Sequence, residues 1–312
     1  MFRGIKAMVV LPIIQLWKET ISCSGEVTAQ RRESGGLNST IMAAASLPSK
    51  FLQECLQSKG VRWISCGWAA FIAENVILSE NRTEIIAEFG DENYHRLYNS
   101  LSTAATLSIA WGFFKHGRGQ GPIIGNRGKI SLLTGYVLQS IGFIGVSQML
   151  PKFQLPFAQE EVSAAPSSSS SPVSAPVSSS YALRCPMDFK PKDVPADGIY
   201  GMDRVSRHSN FWSLGLVTLG YAATTVFVPE IVMCVWPAVF AYIGTSHQDE
   251  RYRRGMGGSL SKEKDEKTSN IPFAALITGR QQWTPLMNEM KWENAGIALC
   301  FTSLTAMRRI RR

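Results

Sequence analysis

Arg204-Val205-Ser206-Arg207-His208-Ser209 leads straight into the apolar run Phe211–Phe227, and a second apolar run, Ile231–Ile243, follows after only Val228-Pro229-Glu230. The second run ends in Ser246-His247-Gln248-Asp249-Glu250-Arg251, and Thr268-Ser269-Asn270-Ile271-Pro272-Phe273 comes later, closing on Gly279-Arg280-Gln281. Two apolar stretches of membrane length joined by so short a turn run back on each other. His208 and His247, at their polar ends, then fall on the same side of a bilayer. The layout points to a polar pocket at a membrane interface rather than to a soluble active site.

Working outward, Val61–Leu78, Tyr98–Phe114 and Leu132–Leu150 read as three further membrane segments. Trp63 and Trp68 sit toward the start of the first, where an indole is half apolar and half wet. Small residues on the second permit close helix approach, and Gly135, Gly142 and Gly145 on the third are tolerated because lipid offers the backbone no competing water. Ala295–Met307, at 13 residues, falls short of the ~20 needed to span and reads as an interfacial or half-spanning helix. The fold class is therefore all-α: a polytopic membrane helical bundle of five or six segments in two halves.

Composition agrees. Charged residues are 18% of the 312, below the ~25% of ordinary soluble domains, and hydrophobic residues are 45%. The net charge is +8, with Arg308, Arg309, Arg311 and Arg312 clustered at the C-terminus beside an apolar helix. That arrangement fits anionic lipid head groups, and no nucleic-acid-binding signature accompanies it. The six cysteines form no Cys-x-x-Cys pair, so no zinc site or thioredoxin-like motif is indicated. The expected partners are membrane lipid and a lipophilic small molecule.

The domain reading places a targeting or disordered extension at 1–60, with Ala/Ser bias in Met42–Ser49, and an N-terminal membrane half at 61–153. A Ser/Pro-rich linker at 154–198 cannot bury a core and is expected to be disordered. A C-terminal membrane half covers 199–281, and a short helix with a basic tail covers 282–312.

Five residues stand out for chemistry: Glu74, Arg207, His208, His247 and Asp249. Glu74 lies inside the apolar run Gly67–Leu78, where a lone carboxylate costs several kcal/mol unless paired or protonated. The Arg207-His208 pair at the mouth of the fourth segment is its expected partner. Asn75, Glu80, Arg82 and Arg251 complete a possible polar cluster between helices; the bland alternative is that these groups anchor helix ends at the head groups. Gly117-Arg118-Gly119-Gln120-Gly121-Pro122 mimics a phosphate loop but follows a membrane helix and lacks the Lys-Ser/Thr ending.

The Arg-His opening, the Asp249-Glu250-Arg251 stretch and the closing Thr-Ser-x-x-Pro-Phe-Ala-Ala-x-x-x-Gly-Arg-Gln (Thr268–Gln281) resemble the NnrU domain. That family of polytopic membrane proteins includes the plastid 15-cis-ζ-carotene isomerase. The resemblance implies a lipophilic isoprenoid or carotenoid substrate, cis–trans isomerisation, a plastid membrane, and haem b held by membrane-embedded histidines. Where the isomerase has Ala-His-Ser-Gly, this chain reads Ala73-Glu74-Asn75-Val76, and where it has a His-His pair, this chain reads Phe240-Ala241. An Asn does not replace imidazole on haem iron. The alternatives are a non-catalytic membrane protein that keeps the fold and a methyltransferase-like membrane enzyme.

Overall fold

The computed structural model describes residues 50–125, 127–153, 157–161, 179–183, 187–188, 195 and 198–310. The expected N-terminal extension lies outside them up to residue 49, and helix is already present over 50–57. The described residues are mostly helical. In chain order the long helices are α1 (Lys59–Glu80), α3 (Asp91–His116), α4 (Lys129–Met149), α5 (Ser209–Thr224), α6 (Val228–Arg253) and α10 (Trp292–Ile310). Short helices lie between them: α2 (Arg82–Phe89), α7 (Lys262–Lys267), α8 (Ala274–Ile277) and α9 (Trp283–Glu289).

Three helices, α1, α4 and α6, are long and apolar enough to cross a membrane. At 1.5 Å per residue each reaches the ~30 Å of a hydrocarbon core. The remaining expected segments differ in detail. The second expected segment extends back to Asp91, so α3 carries Asp91, Glu92, His95 and Arg96 on its first two turns. The fourth, α5, is 16 residues because it stops at Thr224. The turn after it is Thr225-Val226-Phe227 rather than Val228–Glu230. Val228 and Pro229 already belong to α6, where a proline at the first turn sacrifices no helical hydrogen bond and Glu230 faces the positive end of the helix dipole. The last helix is 19 residues, six longer than its apolar run.

Neighbouring helices run antiparallel. Tyr94 Oη at the start of α3 donates to Leu78 O at the end of α1, and Gly60 at the start of α1 packs on the His116 carbonyl. α4 and α5 make the most intimate pair. A Cβ at Gly142 would stand 2.6 Å from Val217 N and 2.7 Å from Ser213 O, and one at Gly135 would stand 2.8 Å from Gly220 O. These glycines are therefore the contact surface itself, not merely tolerated substitutions, because only a missing side chain lets two backbones touch. α1 and α6 run parallel, with Phe71 tilted against and Phe211 edge-on to Phe240 where α1, α5 and α6 converge (ring centroids 5.2 and 5.8 Å from Phe240).

At the polar end the helices are tied by side chains. Lys291 is buried and its Nζ donates to Gln148 O (2.8 Å) and Leu150 O, occupying carbonyls that the end of α4 leaves open. The region read as a disordered linker contributes two antiparallel ladders. β1 (Lys152–Phe153) pairs with β4 (Met187–Asp188), and β2 (Phe157–Glu161) pairs with β3 (Ser179–Leu183). Its Ser/Pro-rich centre, 162–178, lies outside the described residues.

Candidate functional site

The segment that opens α5 is held down by a strap formed from residues 268–281. Arg207 N donates to Ser269 O (3.0 Å), Phe273 N to Val205 O (2.9 Å) and Ser206 Oγ to Asn270 O (2.5 Å). Asn270 joins three elements: its Oδ1 accepts from Trp212 Nε1 (3.1 Å) and Thr245 Oγ1 (2.7 Å), and its Nδ2 donates to Ser246 Oγ (3.0 Å). Phe273 adopts φ 63°, a left-handed conformation uncommon for a side chain of this size, and its ring stacks on Trp283. Arg204, also buried, reaches both oxygens of Glu289 (2.8 and 2.6 Å) and Gln281 Oε1 (2.8 Å). Thr268, Ser269, Asn270, Phe273 and Gln281 of the closing motif thus act as fasteners.

Within this scaffold Arg207, His208 and Asp249 come together. Arg207 Nη2 donates to Asp249 Oδ2 (2.7 Å), and His208 Nε2 lies 2.7 Å from Asp249 Oδ1. Arg207 Nη1 turns to Thr268 Oγ1 (3.1 Å) and to Asp265 Oδ1 (3.0 Å). Asp265 is further claimed by Arg253 through two contacts (2.7 and 3.0 Å), which hold its carboxyl below the usual aspartate range. Both oxygens of buried Asp249 are used, by groups that complement its charge. The cluster is closed on itself.

Glu74 does not join it. Its carboxylate is 1% exposed and accepts from Ser102 Oγ of α3 (3.0 Å), while the Arg207-His208 pair expected to meet it is occupied by Asp249. The reason is direction: Glu74 lies on the face of α1 that packs on α3, whereas Val76 and Ser79 turn toward the cavity beside α6, where Ser79 Oγ meets Arg251. The single pocket expected from the sequence is therefore divided into separate polar sites.

The face of α1 toward α6 borders a cavity of about 250 Å³. Ile72, Val76, Phe211 and Phe240 form its apolar side; Asn75, Ser79, Arg82, His247, Gln248 and Arg251 are among its polar groups. The lining includes two arginines and a histidine and no carboxylate. Arg251 is 6% exposed; among the described residues its guanidinium makes one hydrogen bond, from Nη1 to Ser79 Oγ (2.8 Å), and its Nε has no acceptor. No carboxylate among the described residues lies within ion-pair distance of it. The nearby Glu80 is taken by both terminal nitrogens of Arg254 (2.7 and 2.9 Å). One hydroxyl acceptor contributes ~1.5–3 kcal/mol to a charged donor, whereas burying an ion costs several kcal/mol. His247 Nε2, 3.7 Å from Glu80 Oε2, is likewise buried without a hydrogen-bond partner.

Of the residues singled out in the sequence, His247 lines this cavity, Arg207, His208 and Asp249 form the closed cluster, and Glu74 stands with Ser102. Asn270, Asp265 and Gly257 escape sequence reasoning, because nothing in a polar loop marks which of its residues folds back onto a helix end. A second cavity of about 160 Å³, on the α4 side of α5, is almost wholly apolar and is lined by Ile144, Trp212, Leu216, Phe273 and Met290, among others.

Haem b has no fit in the four histidines. His95 is exposed beside Asp91 on α3, His116 packs against Trp63 and Trp111, His208 is engaged by Asp249, and His247 lies at the cavity rim near Glu80. No two of them share a described site. The Gly117–Pro122 loop is no phosphate cradle either, since Gly119 N already donates to Glu230 Oε1 (2.9 Å). Comparisons with family models, curated proteins and solved structures return no match.

Proposed function

We propose that the chain is an integral membrane protein of the NnrU type, with six helices in two halves, that binds a lipophilic isoprenoid or carotenoid in the cavity between α1, α5 and α6. The observation that carries this reading is the cavity's division into an apolar side, built on Phe211 and Phe240, and a polar end at the helix termini. A pocket with that polarity orients an amphiphile along the helices, its tail among the aromatics and its head toward the interface. Isomerisation and a plastid membrane come with the family resemblance. No step is assigned to a residue here, since the histidines supply no haem site.

A second reading is favoured by the closed cluster. Arg207, His208 and Asp249 are consumed in fastening the strap, which is what a non-catalytic binding protein would retain. The two readings share the cavity and separate on turnover.

The test is to purify the protein in mild detergent, extract it with organic solvent and identify what is retained by mass spectrometry. An isoprenoid or carotenoid retained by the wild type and lost in Val76→Trp, which fills the cavity while leaving the Asp249 cluster intact, is the expected result. Equal retention by both proteins, or no such molecule in either, overturns the proposal. Conversion of a bound cis polyene to its trans form then distinguishes enzyme from binder.

A further inference from the structure

The polar end of the cavity collects basic side chains, and the buried one, Arg251, has no carboxylate within ion-pair distance among the described residues. Arg251 of α6 and Arg82 of α2 approach one point: a Cβ at Gly257 would stand 3.3 Å from Arg251 Nη2 and 3.8 Å from Arg82 Nη1. Gly257 itself has φ +75°, in a loop that folds back over the end of α6 through Met256 N donating to Arg251 O (2.9 Å). His247 turns its unpartnered Nε2 to the same region. Glu80 is held by Arg254, and Arg82 has only the largely exposed Asp91, at 3.8 Å, as an ion-pair partner.

We propose that this is an oxyanion site, and that the ligand of the cavity is an amphiphile with a phosphate or carboxylate head held by Arg251 and Arg82. The inference rests on the reading of the cavity as a lipophilic-ligand site and adds the chemistry of the head. Two guanidiniums facing one point repel each other unless an anion stands between them. Their planar forks match the oxygens of phosphate or carboxylate. A cationic head would meet no carboxylate in the lining, and a neutral head would leave the buried Arg251 without a counterion. The apolar side formed by Ile72, Val76, Phe211 and Phe240 leads away from the arginines and supplies the path for a tail.

The experiment uses the full chain in nanodiscs of zwitterionic lipid and three probes: a farnesyl-length isoprenoid alcohol, its monophosphate, and inorganic phosphate. The monophosphate is expected to bind at least about tenfold more tightly than the alcohol, and inorganic phosphate alone more weakly than the monophosphate. Arg251→Gln should remove the preference for the monophosphate by weakening monophosphate binding far more than alcohol binding. If that variant does not fold, Arg82→Gln, at a half-buried position, should reduce the same preference. Equal binding of alcohol and monophosphate to the wild type overturns the oxyanion inference and leaves the lipophilic reading intact. Binding of neither isoprenoid overturns both. Inorganic phosphate binding as tightly as the monophosphate overturns the amphiphile and identifies a free-anion site.

Discussion

Asp249 and Arg251 are two residues apart on the last turns of α6, and they sit in opposite electrostatic situations. Both oxygens of Asp249 have partners: Arg207 and His208 take one each. Arg251, equally buried, has one hydroxyl for a partner and another guanidinium for a neighbour. Two residues on a helix turn the side chain by about 200°, so Asp249 faces the α5 entrance and the strap while Arg251 faces α1. In the first cluster the carboxylate and the guanidinium balance each other's charge, although Arg207 Nε finds no acceptor. The second is incomplete without something from outside. Burial alone does not mark a functional site; an unbalanced charge beside a cavity does.

The comparison breaks most visibly at Asp249. Asp249→Asn leaves Arg207 buried without its strongest acceptor and is expected to cost roughly 3–5 kcal/mol, as when one partner of a buried ion pair is removed. Thermal unfolding in detergent measures it, and an unchanged midpoint would show that the cluster does not hold the strap. Arg251→Met should act in the other direction, raising the stability of ligand-free protein by ~1–2 kcal/mol because it removes a buried charge that lacks a counterion. A loss of stability there would mean that Arg251 is balanced within the fold.

Smaller effects sharpen the contrast. Glu74→Gln should shift stability by less than ~1 kcal/mol, since an amide oxygen can still accept from Ser102 Oγ. A loss comparable to that of Asp249→Asn would reveal a cationic partner for Glu74. The smallest effect concerns Asp265, whose carboxyl is held below its ordinary range by Arg253 and Arg207. A depressed folded-state value makes this contribution full above the unfolded value near ~3.9 and lost as the pH falls through the lower folded value. Unfolding midpoints of the wild type should therefore drop below about pH 4, and Asp265→Asn should flatten that acid limb. An identical acid limb in both proteins would show that the Arg253 pair contributes nothing.

Much of the helix pattern was legible in the sequence. Each of the six long helices is built on one of the apolar runs, because length and hydropathy are local properties that a bilayer-facing helix carries in itself. Where the boundaries moved, polar residues were responsible: α3 gains about two turns of mostly polar sequence, and α6 continues past His247 to Arg253. Once a helix is nucleated by its apolar middle, each added polar residue gains a backbone bond, and ion pairs such as Arg254 with Glu80 hold the extension in place. The site was less legible. His208 and Asp249 stood out as polar residues at helix ends, but the choice of Asp249 rather than Glu74 as the partner of Arg207 depends on which faces of α1 and α6 turn toward each other.

What the sequence determined by itself was a set of apolar helices, the small residues on α3 and α4, and an unusual concentration of polar residues around 204–209 and 247–251. What the tertiary structure decided was how those charges pair. It carries the 268–281 strap across to Arg207, turns Glu74 toward Ser102, and leaves Arg251 and Arg82 facing a cavity. Helix formation follows from interactions a few residues apart, whereas ion pairing depends on the direction of side chains brought together from distant parts of the chain, and that direction is fixed only when the helices pack.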